Sequence, residues 1–267
     1  MNLIVLEKEL KKNFLVGLAP ALLILIINVI LISLWPEMSE MIKAKLEIFE
    51  TNPIMKIFFG ATLDALGFTT FEGMFSLLLF FYLDIILIVL AIFQGTSISR
   101  EVDRGILDII LAYPIPRWKY VLEKFLGKFL LFSGVILAIL GTTVFGMAFL
   151  GEEYHLLNLV IVLLTRWLLF GTLLAITLLC NIIFLNPVKA VITSSTIIVV
   201  QYFMERFGGL VNSTKIIQDF SIFHYLDATI ILKTGELPLF DFLLVLVIGC
   251  LSLLFSMMLF ENRELLT

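Results

Sequence analysis

Six stretches of this sequence are too long and too apolar to be ordinary core helices, and they constrain the fold more than anything else in it. They fall at about residues 14–35, 75–94, 129–150, 156–183, 188–204 and 242–260. About 20 residues of helix cross a hydrocarbon layer of roughly 30 Å, so each run is read as a membrane span. Backbone in lipid must satisfy its own hydrogen bonds, which leaves helices or a closed barrel. None of the six alternates apolar and polar residues as barrel strands do. The expected fold is therefore all-α, a polytopic bundle of six transmembrane helices, and residues 1–267 are read as a single membrane domain.

Composition agrees, with 61% hydrophobic and only 15% charged residues, far from a soluble domain. Residues 1–13 mix Glu7 and Glu9 with Lys8, Lys11 and Lys12, and no small-residue cleavage pattern follows the first run, so they are not a signal peptide. Leu3, Leu6 and Leu10 share one helical face there, which predicts an N-terminal interfacial helix lying on the membrane before span one. Cys180 and Cys250 both fall inside apolar runs and read as packing residues rather than a disulfide or metal pair. His155 and His224, the two histidines, are far apart in sequence, and no metal site is expected.

Six spans put both termini on one side. That side, with residues 95–128 and 186–189, carries eleven Lys and Arg against six in the opposite loops. Basic residues favour the cytoplasmic side, so both termini are expected in the cytoplasm, with the chain multi-pass in the cell membrane. The net charge of −4 comes mainly from the outer loops and gives no basic patch for nucleic acid.

Two charges fall near the middle of spans: Asp84 and Arg166. An unpaired charge there costs about 3 kcal/mol or more. Counted at 1.5 Å per residue, both lie about 15 Å from the outer ends of their spans. They are expected to pair across the bundle interior, as a structural clip or as a contact for a translocated substrate.

Between the second and third runs lies the most polar segment of this side, SREVDRGILDIILAYPIPRWKY. Ile98, Val102, Ile106, Ile109 and Ile110 recur at spacings of three and four, with Arg100, Glu101, Asp103, Arg104 and Asp108 elsewhere on the wheel. This predicts an amphipathic helix over about 97–112, started by Thr96 or Ser97 and ended before Pro114. The pattern leaves two uses open: a connector resting on headgroups, or a docking surface tied to two spans.

Gly95, Glu101, Gly105, Leu107, Asp108, Leu111, Pro114, Ile115, Arg117 and Lys124 read together as G-x5-E-x3-G-x-L-D-x2-L-x2-P-I-x-R-x6-K. This resembles the cytoplasmic signature of ABC transporter permeases of the type 2 exporter family. Six spans, the segment's place between spans two and three, and charged N- and C-terminal stretches fit the same family; Ile106 and Pro116 depart from its usual pattern. The resemblance implies that the segment is a coupling helix, with Arg100, Glu101, Arg104, Gly105, Asp108, Pro114 and Arg117 forming the contact with a separate ATP-binding subunit. It also implies a second permease copy or sister chain, since six spans make half a pathway, and surrounding membrane lipids as further partners.

No G-x4-G-K-[ST] phosphate loop occurs in the chain. It is expected to be no enzyme and to hold no cofactor, with ATP and Mg on the partner subunit. The reading is a permease subunit of an ATP-driven exporter. The alternative is a non-transporting scaffold or signalling subunit that couples an ATPase to an outer complex; a membrane hydrolase would need more polar residues at matching depths in the spans.

Overall fold

The six apolar runs fold into helices long and apolar enough to cross a membrane. The computed structural model describes residues 4–44, 71–107, 116–151, 154–208, 215–228, 231 and 234–263. In chain order its elements are α1 (Ile4–Ala44), α2 (Phe71–Gly95), α3 (Ser97–Asp103), α4 (Arg117–Leu150), α5 (Leu156–Phe184), α6 (Pro187–Gly208), α7 (Lys215–Gln218), a 3-10 turn (His224–Leu226) and α8 (Leu239–Glu261). The spanning helices are α1, α2, α4, α5, α6 and α8, and no strand occurs among the described residues.

Helix α5 is the axis of the bundle, packing against α2, α3, α4, α6 and α8. Its sequence explains the position, because it is apolar around the whole wheel and so can be surrounded. Small residues let its neighbours come close. A Cβ on Gly249 of α8 would sit 2.7 Å from Thr172 Oγ1, so only glycine fits there. Interhelical hydrogen bonds add to this packing: Thr172 donates to Val245 O at 3.2 Å and Trp167 Nε1 to Ser133 Oγ at 2.8 Å. On the outside of the bundle α1 lies along α4, where buried Asn28 donates to Thr142 Oγ1 at 2.7 Å and Thr143 Oγ1 at 3.1 Å.

The elements end where their local chemistry says. Helix α4 stops at Gly151, in the left-handed region at φ 70°, with its N–H on Met147 O. Helix α6 starts with Asn186 Oδ1 accepting from Lys189 N at 3.0 Å and Pro187 in the first position.

Three expectations from the sequence are revised. The N-terminal segment is not a separate helix among the described residues, because α1 runs unbroken for 41 residues from Ile4 past Pro36 to Ala44. At 1.5 Å per residue it is about 60 Å long, so it projects beyond the hydrocarbon layer. The helix that carries span three already begins at Arg117, which moves Lys119, Lys124 and Lys128 from a loop onto a helix. The helix expected over 97–112 is interrupted after Asp103, because Gly105 takes φ 65° and turns the chain there, and Ile106 and Leu107 are helical again. Residues 108–112 lie outside the described residues.

Both chain ends meet the same face of the bundle, since Glu9 and Glu261 both contact the start of α4. We call this the termini face and its opposite the far face.

Candidate functional site

At the termini face the stripe Tyr120, Lys124 and Lys128 runs along α4 at i, i+4 and i+8, all three buried. The centre of the cluster is Lys124, whose ammonium lies 2.6 Å from Glu9 Oε1 on α1 and 2.6 Å from Glu101 Oε1 on α3. Its side chain is 1% exposed. The other Glu101 oxygen accepts the hydrogen bond of the Tyr120 hydroxyl. One turn on, Lys128 donates to Gln94 O at 2.7 Å and to Ser97 Oγ, holding the end of α2 and the start of α3. Glu123 Oε2 accepts from Leu6 N at 3.0 Å, so a carboxylate from α4 caps an open amide in the first turn of α1.

The kink between α2 and α3 is fixed from α5. Asn181 Oδ1 accepts from Ser99 N at 2.9 Å, and its amide donates to Gly95 O. It thereby satisfies one open carbonyl of the ending helix and one open amide of the starting one. The expected caps, Thr96 and Ser97, do not cap α3: Thr96 Oγ1 donates back to Ile92 O at 3.0 Å and Ser97 Oγ accepts from Lys128. The C-terminal stretch is stitched to the same face. Arg263 donates to Ile183 O at 2.7 Å and to Ile182 O, Arg117 donates to Arg263 O, and Glu261 Oε2 accepts from Trp118 N at 2.9 Å.

The residues picked out from the sequence therefore separate into two groups. Glu101 points inward, 6% exposed, into the Lys124 cluster rather than out toward solvent. Arg100 is half-buried, its guanidinium 4.4 Å from the Phe93 ring centroid and hydrogen-bonded to Phe93 O. Arg117 is half-buried against Arg263. Asp103, Arg104 and Gly105 form an exposed tip at the end of α3. Asp108 and Pro114 lie outside the described residues.

The second predicted group comes together inside the bundle. Arg166 Nε lies 3.1 Å from Asp84 Oδ1, both residues buried. A third partner was not foreseen: Arg206 Nη2 lies 3.6 Å from Asp84 Oδ2. Arg166 also donates to Leu226 O at 2.7 Å, tying α5 to the segment at 215–228. That segment is partly embedded, with Ser221, Ile222, Phe223, Leu226 and Ala228 buried.

Glu9, Tyr120, Glu123, Lys128, Asn181 and Arg206 escaped the sequence reading as site residues, and Lys124 entered it only as a motif letter. A signal existed for the α4 set. Tyr120, Lys124 and Lys128 fall on one stripe with Val121 and Phe132 nearby, a polar row within an apolar surface that a helix starting at 117 would have revealed. Asn181 and Arg206 had no such signal, since their partners are 82 and 122 positions away.

A family model described as "ABC-2 family transporter protein" matches residues 22–265. No curated protein matches the chain.

Proposed function

The chain belongs to the ABC-2 family of transporter proteins and is an integral membrane permease by that membership, and from this premise we propose that it is the transmembrane half of an ATP-driven exporter. ATP and Mg are held by a separate ATP-binding subunit, and a second permease copy or a sister chain completes the pathway. The termini face lies in the cytoplasm, in line with its eleven Lys and Arg. The chain itself has no phosphate loop and performs no hydrolysis.

The observation that carries the reading is the contrast within α3. Its tip, Asp103-Arg104-Gly105, is exposed, while its body is held by Lys124 from α4, Lys128 from α4 and Asn181 from α5. A force on the tip is therefore delivered to three spanning helices, α2, α4 and α5, rather than absorbed by a loose loop. ATP-dependent closure of the partner can shift the permease between states only if it binds the tip differently in each. Glu101, in this account, is a positioning residue that sets the lever, and Asp103 and Arg104 supply the contact.

The test is co-purification with the ATP-binding subunit. Asp103→Lys with Arg104→Glu reverses both exposed charges and is expected to abolish association at physiological salt while leaving thermal stability within about 0.5 kcal/mol of the parent, as for exposed sites. Unchanged association and unchanged stimulation of the ATPase would remove the tip from the interface. Flux in reconstituted vesicles separates the permease from the scaffold reading, which predicts association without transport.

A further inference from the structure

At the far face, away from the Lys124 cluster, His224 occupies an unusual place. Its Nδ1 lies 3.1 Å from Glu205 Oε2 on α6, and its Nε2 lies 3.8 Å from Asp219 Oδ1. A neutral imidazole carries one N–H and one lone pair, so either tautomer turns a lone pair toward a carboxylate oxygen. Only the imidazolium presents a proton to both. The side chain is 34% exposed, so protons reach it from the far face.

The groups around His224 are Glu205 and Arg206 on α6, Asp219 and Tyr225 on its own segment, and Asp227 just beyond the 3-10 turn, with Asp84 and Arg166 behind Arg206.

We propose that His224 is a proton-binding site, and that its protonated form clamps the embedded segment 215–228 onto α6 through Glu205 and Asp219. Among the described residues the segment is also fastened by Ser221 Oγ to Gln201 O at 2.8 Å, Ile222 N to Gln201 Oε1 at 3.4 Å, Gln218 Nε2 to Glu205 O at 2.9 Å and Arg166 to Leu226 O at 2.7 Å. The His224–Glu205 contact is the titratable part of the latch: made when a proton is held between the two groups, lost as pH rises and the pair gives that proton up. The segment packs against α5, α6 and α8, so its grip sets how firmly these helices are held together at the far face.

The test places a thiol under the latch. In a Cys180→Ala, Cys250→Ala background, Ser221→Cys replaces a fully buried serine, and nanodiscs leave both faces open to a membrane-impermeant maleimide. Labelling rates are compared between the His224 protein and His224→Gln at about pH 5.5 and about pH 8. The thiol's own pH response cancels in the ratio. The expected result is several-fold slower labelling with His224 at the acid pH and a ratio near one at the alkaline pH. His224→Arg, a fixed cation, should label slowly at both, and Glu205→Gln should erase the pH dependence. A ratio that is the same at both pH values overturns the proposal, as does a Glu205→Gln protein that keeps it. Should His224→Gln fail to fold, the His224→Arg and Glu205→Gln comparison decides alone.

Discussion

Replacing Lys124 by Met removes one ammonium and leaves Glu9 and Glu101, each 2.6 Å from it, facing each other in a buried site. Removing one partner of a buried ion pair costs about 3–5 kcal/mol, because the remaining charge has lost both water and its counter-ion. Here two carboxylates lose their shared ammonium, while Glu101 keeps the Tyr120 hydroxyl, so a loss within that range is expected. At about 2–4 °C per kcal/mol, apparent melting should fall by about 6–20 °C. The assay is thermal unfolding of the purified permease in nanodiscs, at one fixed scan rate because such transitions are often irreversible. Adding Glu9→Gln and Glu101→Gln to Lys124→Met removes the stranded charges and should recover most of the loss, since a neutral set of similar volume often matches a buried ion pair. A Lys124→Met protein that melts with the parent, or a triple variant no better than the single, would refute the idea that this cluster holds α1 and α3 to α4.

Asp84 bridges two guanidiniums whereas Arg166 has a stand-in, so Asp84→Asn should destabilise more than Arg166→Met, by about 1–2 kcal/mol on the scale of buried-charge losses; equal melting shifts would show that Arg206 contributes nothing. Asn181→Ala leaves Ser99 N and Gly95 O without their buried partner and should cost about 1–3 kcal/mol. The same change should lower ATPase stimulation while partner binding persists, because it loosens the lever without touching the tip. Loss of binding in parallel would place Asn181 at the interface instead.

The sequence by itself determined the class of the molecule. Runs of about 20 apolar residues can only be spanning helices, and the alternation of basic and acidic loops follows from the same list. It also brought out Asp84 and Arg166, because two mid-span charges of opposite sign have few alternatives to each other. The polar segment after α2 was legible as a helix with a charged face, and the letters that carried the family resemblance all lie in or beside it.

The direction in which those letters point was settled by the tertiary structure alone. Periodicity assigns Glu101 to the polar side of a short helix, and polar sides ordinarily meet water. Only the packing of α4 and α1 against α3 puts a buried ammonium beside it and turns an apparent surface charge into an internal tie. The same holds for Asn181, Arg206 and His224, whose partners lie in other helices. Apolar length and charge are properties of a stretch and can be read along the chain; which charges face one another depends on how separate helices are brought into register, and that is fixed only when the bundle forms.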